Sequence, residues 1–150
     1  MIRGIIFDYN RTLFDPEKWD LIEEVPGLLE KLFKNYKLCL ITTGEGHRLE
    51  KLEGLDLDKK FTKIIVVQGE HKDKKHFLEC AKAMDLEPEN VLVIGDKVRA
   101  EIKAGNNAGM KTVWFKFGKY AKTPPQEKEQ EPTYTITKLD ELYSVLEKEK

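Results

Sequence analysis

The sequence predicts an α/β fold: a three-layer, doubly wound parallel sheet in a single domain over residues 1–150. Three observations lead there. Apolar or β-branched runs alternate with amphipathic helical patterns from end to end, which is the signature of a parallel sheet with helices on both faces. Every connection is short enough for a single crossover, which leaves no room for a second domain. Two of the apolar runs stop at a carboxylate, Ile5-Ile6-Phe7 at Asp8 and Val91 to Ile94 at Gly95-Asp96. Buried parallel strands of this kind deliver side chains to the C-terminal sheet edge, where open α/β sheets bind their ligands.

The elements follow in order. The first strand ends at Phe7. Residues 14–25, with Pro16, Trp19 and several acids, read as a loop or short helix. Pro26-Gly27 opens a helix with Leu28, Leu29, Leu32, Phe33 and Tyr36 on its apolar face. The second strand, Leu38 to Ile41, ends in Thr42-Thr43-Gly44, and a helix bearing Leu49 and Leu52 stops at Gly54. Ile64 to Val67 is a β-branched third strand. A helix over 72–84 turns Phe77, Cys80, Ala81 and Met84 inward. After the fourth strand, a helix over about 98–107 closes at Gly109, and Lys111 to Phe115 is the fifth strand. Residues 121–132, AKTPPQEKEQEP, form a solvated excursion. Tyr134 to Ile136 is a short sixth strand, and the spacing from Thr137 to Asp140 predicts a capping box on a last helix with Leu139, Leu142 and Leu146 inward.

Composition narrows the function. With 40% hydrophobic and 35% charged residues the chain reads as soluble and globular, and a net charge of −1 gives no bulk attraction to nucleic acid or acidic lipid. No run approaches a membrane span, and the N-terminus enters a strand with no signal peptide, so a cytoplasmic location is expected. Cys39 and Cys80 lack metal or redox spacing and read as buried small hydrophobes in a reducing compartment. His47, His71 and His76 are not at metal spacing and are assigned no chemistry.

Chemistry gathers at the strand ends. Asp8, Thr42 and Asp96 end three strands, and Lys72, Lys74 and Lys75 open the helix after a fourth. A carboxylate nucleophile, a hydroxyl, a cation and a second carboxylate for a metal compose a phosphoryl-transfer site.

In order and spacing these motifs resemble the haloacid dehalogenase superfamily of phosphatases. FDYNRTL resembles its strand followed by DxDxT, LCLITTG its strand ending in Thr or Ser, GEHKDKKHF its lysine motif, and IGDKVRAE its GDxxxxD. The resemblance covers nearly the whole chain. It implies Asp8 as a nucleophile that forms an aspartyl phosphate and also binds metal. It implies Thr42 as the hydroxyl holding the phosphate, joined by the Thr43 and Gly44 amides at a helix N-terminus. Lys72 is the best match to the charge-neutralising lysine, with Lys74 or Lys75 as alternatives. Asp96 and the main-chain carbonyl of Asn10 are implied as further ligands of Mg²⁺, with Glu101 where the family's last acid stands.

Asn10 departs from the family, whose phosphatases carry Asp there to protonate the leaving oxygen and then activate water. An amide does neither, which removes about 10²- to 10⁴-fold of rate. Two readings therefore stand. One is a Mg²⁺-dependent phosphatase, slow on poor leaving groups. The other is a non-hydrolysing protein of the same fold that binds phosphate, metal or a partner. A receiver-like domain would need its acceptor after the third strand, where this chain has Gln68-Gly69. The intervals from Asp8 to Thr42 and from Thr42 to Lys72 are too short for the family's cap domains. A capless site is open, and its phosphorylated substrate is small or macromolecular, in a monomer or homo-oligomer. Trp19 is expected to pack on the sheet edge, with a place on the rim of the site as the alternative.

Overall fold

The computed structural model describes residues 1–44, 49–69 and 72–150. The readings of His47 and His71 lie outside them. Six strands form one parallel sheet: β1 (Gly4–Asp8), β4 (Lys37–Thr43), β5 (Lys63–Val67), β6 (Val91–Gly95), β7 (Lys111–Phe115) and β8 (Tyr134–Ile136). Their spatial order is β5-β4-β1-β6-β7-β8. The chain leaves β1 toward one edge, then returns to lay β6 on its other side. The switch point, and with it the crevice, falls between β1 and β6.

Alternation along β1 divides the core. Ile5 and Phe7 face a layer with α1 (Val25–Leu32) and α5 (Leu142–Lys148), filled by Leu28, Leu29, Leu142 and Leu146. Ile6 faces the opposite layer with α3 (Lys74–Ala83) and α4 (Lys103–Asn107), where Phe77, Cys80, Met84 and Ala104 pack. The second layer sits close: a Cβ on Gly4 would lie 2.6 Å from Leu86 Cδ1, so a larger residue there would displace the Leu86 side chain.

Several elements differ from the sequence reading. Residues 14–25 hold a two-stranded hairpin, β2 (Phe14–Asp15) and β3 (Asp20–Leu21), rather than a loop or helix. Phe14 stacks on Tyr9 and takes the edge of Trp19, so a local aromatic cluster decides the conformation; Trp19 itself is still 47% exposed. Phe33 lies outside the apolar face of α1, exposed beneath the Lys60 ammonium. The last helix is capped through Glu141, not Asp140: its Oε1 accepts from the Thr137 and Lys138 amides and the Thr137 hydroxyl. The excursion over 121–132 is tied down, since the Asn106 side-chain amide donates to the carbonyls of Glu129 and Glu131 at 2.8 Å.

Cys39 and Cys80 are buried as expected, but they are joined in a disulfide and not free. Cys39 lies on the α3 side of β4 and Cys80 on the inner face of α3, with Cα atoms 6.2 Å apart, within bridging range. Forty-one positions separate them in sequence, so only the crossover reveals the pairing.

Between Asp8 and Thr42 the chain builds only the hairpin and α1. Between Thr42 and Lys72 the described residues build α2 (Glu50–Gly54), a short 3₁₀ turn and β5. No helix among the described residues is long and apolar enough to cross a membrane.

Candidate active site

β1 and β6 run in parallel register with Phe7 opposite Ile94, so their next polar residues emerge together at the crevice. Asp8 ends β1 and is 5% exposed. Directly after it the chain folds back tightly, with the amides of Thr12, Leu13 and Phe14 all donating to the Tyr9 carbonyl. That turn carries Thr12 back over the strand end, where its hydroxyl donates to Asp8 Oδ2 at 3.3 Å.

Asp96 follows β6 and is 3% exposed; the Trp114 indole N–H, from β7, donates to its main-chain carbonyl at 3.0 Å. Its carboxylate Oδ2 is buried without a hydrogen-bond partner among the described residues. Glu101 projects from a π-helical turn (Val98–Ile102) that runs into α4. The widened turn is a feature often found at functional sites. Glu101 Oε1 accepts from the Lys97 amide at 3.3 Å. Gly95 makes the approach possible, because a Cβ there would lie 2.6 Å from both Glu101 Cβ and Oε1.

Lys72 closes the cluster. Its ammonium is hydrogen-bonded to Asp8 Oδ1 and lies 3.4 Å from Glu101 Oε2, with its side chain 7% exposed. Burial alone would lower its pKa, but the charges of Asp8 and Glu101 more than reverse that and hold it protonated. Among the carboxylates the balance runs the other way. Burial, then the charge of Asp8, pushes Asp96 up to about 10. Burial and the charge of Asp8 also raise Glu101, against the pull of Lys72.

Ligand oxygens of Asp8, Asp96 and Glu101 all lie within 4.8 Å of one another. Three buried carboxylates, if all ionised, would exceed the charge of one ammonium, and one carboxylate oxygen is unpartnered among the described residues. Hard oxygen donors so disposed fit Mg²⁺, which relieves both conditions.

The other expected residues are placed as follows. Lys74 and Lys75 are exposed in the first turn of α3, pointing to Lys72 as the site lysine. Thr42 ends the neighbouring strand β4, is 4% exposed, and donates its hydroxyl to the Thr43 carbonyl at 3.3 Å. Thr43 is half-buried and Gly44 exposed, with φ +87°. Their expected place at a helix N-terminus involves residues 45–48, outside the described residues; α2 starts at Glu50. Asn10 is half-buried and bridges Phe14 across the turn. The open site expected of a capless domain is not found at Asp8 itself, which is 5% exposed and hydrogen-bonded to Lys72. Sequence reasoning gave no role to Thr12, although it is the T of the DxDxT pattern. His76 caps α3, its Nδ1 accepting from the Asp73 amide at 2.9 Å.

Comparison with known proteins accords with this geometry. A family model described as HAD-hydrolase-like matches residues 71–142. The glyceraldehyde 3-phosphate phosphatase of Pyrococcus furiosus is 36% identical over an alignment covering 99% of this chain and 68% of that protein. The mouse N-acylneuraminate-9-phosphatase is 31% identical, over 85% of this chain and 52% of that protein. The chain thus spans roughly half to two thirds of the length of these relatives. Among solved structures, a magnesium-bound HAD-hydrolase, YfnB of Bacillus subtilis, superposes with a TM-score of 0.81 at 20% identity, covering 97% of this chain and 98% of that one. A 2-haloacid dehalogenase of Pseudomonas syringae does so with 0.82 at 17% identity, covering 100% of each.

Proposed function

The chain belongs to the haloacid dehalogenase superfamily, and from that premise we propose that it is a Mg²⁺-dependent phosphomonoesterase working through an aspartyl phosphate on Asp8. The observation that carries this reading is the buried Asp8–Lys72 pair beside Asp96 and Glu101. A buried ion pair is a poor way to gain stability, and this one places a carboxylate nucleophile against a cation at the crevice.

In this mechanism Asp8, Asp96 and Glu101 would hold the metal, with the Asn10 carbonyl as a further ligand. Mg²⁺, when bound, neutralises charge on the phosphate. Lys72 does the same from the protein side and lets a dianionic ester approach an anionic nucleophile. Thr12 orients the Asp8 carboxylate, and the Thr42 hydroxyl, with the Thr43 and Gly44 amides, binds the phosphate oxygens. An Asp8 oxygen attacks phosphorus, the bond to the ester oxygen breaks, and the leaving alkoxide takes a proton from water. Water then attacks phosphorus, the bond to Asp8 breaks, a proton passes to solvent, and inorganic phosphate departs. Asn10 stands where an acid would carry both protons, so turnover is slow on poor leaving groups. The names of the relatives favour a small phosphorylated metabolite over a macromolecule.

Asn10 also supports the second reading, a protein that binds phosphate and metal without efficient hydrolysis. Phosphate release from a panel of phosphomonoesters, with Mg²⁺ or with EDTA, separates the two. The phosphatase reading expects Mg²⁺-dependent release that disappears in Asp8→Asn. Release from no ester, with Mg²⁺ binding intact, leaves the non-hydrolysing reading.

A further inference from the structure

Beside the buried carboxylates lies a group of side chains that the chemistry above does not use. Arg11, Lys97, Arg99 and Lys119 surround the ring of Tyr120, their cationic centres 5.3, 4.4, 5.6 and 5.2 Å from its centroid. Among the described residues none of the four has a carboxylate within ion-pair distance. A ring face attracts cations but leaves their charge uncancelled, so among the described residues this is a concentration of positive charge with no paired carboxylate. Burial works to raise the Tyr120 phenol, yet Lys97, Lys119 and Arg11 outweigh it and lower its pKa.

The cluster is joined to the site. Arg11 belongs to the turn that sets Thr12 on Asp8, and Lys97 follows Asp96. Arg99 sits in the π-helical turn that carries Glu101, and with Lys72 it lines a cavity of about 220 Å³. Arg11 is held there at a cost. Its φ is +61°, a conformation glycine adopts freely and other residues do not. The chain also clears space for its stem: a Cβ on Gly118 would lie 3.0 Å from Arg11 Cδ.

We propose that Arg11, Arg99 and Lys119, around Tyr120, bind a second anionic group of the substrate, so that the preferred substrates are small phosphomonoesters bearing a carboxylate or a further phosphate. With Asp8 taking the ester phosphate, these cations select the far end of the molecule. The inference rests on the phosphatase reading for turnover, but binding tests it independently.

The test uses three esters on one three-carbon skeleton, glycerol 3-phosphate, glyceraldehyde 3-phosphate and 3-phosphoglycerate, whose far ends are an alcohol, an aldehyde and a carboxylate. Glycerol 3-phosphate against 3-phosphoglycerate is the carboxylate pair, with glyceraldehyde 3-phosphate as a control of equal charge to the first; fructose 6-phosphate against fructose 1,6-bisphosphate is the second-phosphate pair. At low salt kcat/KM favours the more anionic member of at least one pair by about tenfold or more, chiefly through KM, and the preference shrinks as ionic strength rises to about 0.5 M. Arg99→Ala with Lys119→Ala brings the ratio to within about twofold of unity; the single variant Arg99→Gln lowers it part way. Equal kcat/KM within both pairs overturns the proposal, as does a preference that survives in the double variant. If no ester releases phosphate, the phosphatase reading fails. Calorimetric affinities of the same pairs, in the protein as purified with Mg²⁺, then decide the second-anion site by the same ratio.

Discussion

Two charged regions meet at the C-terminal end of β1 and β6, and they obey different rules. In the buried one, Asp8, Lys72, Asp96 and Glu101 are withdrawn from water and depend on one another for compensation. In the other, the half-buried Arg11 and Lys97 and the exposed Arg99 and Lys119 surround Tyr120, where water and the ring share their solvation. Neighbouring residues in sequence, Asp96 and Lys97, fall on opposite sides of this division. Buried charge is strong, little screened and suited to chemistry. Exposed charge is screened, acts over about a Debye length and is suited to attracting and sorting anions.

The largest effect expected is on breaking the buried region. Lys72→Met removes the cation paired with the three carboxylates among the described residues and should abolish turnover while lowering stability by about 3–5 kcal/mol. Arg99→Ala, in the exposed region, should change stability by no more than about 0.5 kcal/mol. Urea denaturation of both variants measures the contrast, and similar losses in the two would erase the distinction.

Asn10→Asp adds an acid at the edge of the buried region. It should raise Mg²⁺-dependent hydrolysis of an alkyl phosphate by roughly one to four orders of magnitude. The gain should be smaller with p-nitrophenyl phosphate, whose leaving group needs little protonation, where phosphorylation of Asp8 limits the rate. Equal gains on both would mean that breakdown of the aspartyl phosphate limits. A folded, Mg²⁺-binding variant that gains on neither returns the balance to the non-hydrolysing reading.

Gly95→Ala tests whether the buried region is held by packing. Its new Cβ would collide with Glu101, at a cost of about 1–3 kcal/mol typical of overpacking. Weaker Mg²⁺ binding measured by calorimetry should accompany the loss; unchanged affinity would mean that Glu101 is not a ligand.

The parallel sheet and the strand-end acids were legible in the sequence because period and position carry them. β1 and β6 are built on the uninterrupted apolar runs Ile5-Ile6-Phe7 and Val91 to Ile94, and a residue that ends such a strand has one place to go. Legibility failed where the deciding contact was tertiary. Phe14 and Trp19 form a hairpin through an aromatic cluster that no period encodes. Cys39 and Cys80 meet only once the crossover is closed. The exact place of Glu101 depends on a π-helical turn and on the bare α-carbon of Gly95. The cations around Tyr120 come from three separated stretches of chain, each unremarkable alone.

The smallest effect expected per step, about 1.4 kcal/mol for each proton and pH unit, concerns protons in the buried region. Without metal, burial and mutual repulsion raise the pKa of Asp96 to about 10 and raise that of Glu101. A carboxyl whose folded pKa lies above its unfolded value stabilises the fold fully below the unfolded value. That contribution declines as pH rises toward the folded one. The metal-free protein should therefore lose stability from about pH 4 upward through neutrality. Mg²⁺ reverses this, because it binds the ionised carboxylates and must displace their protons. Each proton displaced makes the affinity rise about tenfold, or about 1.4 kcal/mol, per pH unit. Between pH 6 and 8 the thermal shift caused by Mg²⁺ should consequently grow with pH. Calorimetry in buffers of different ionisation enthalpy should find close to one or more protons released per ion bound. An affinity flat across that range, with no proton release, would mean that Asp96 and Glu101 are already ionised in the metal-free fold. The buried region would then follow the same rules as the exposed one.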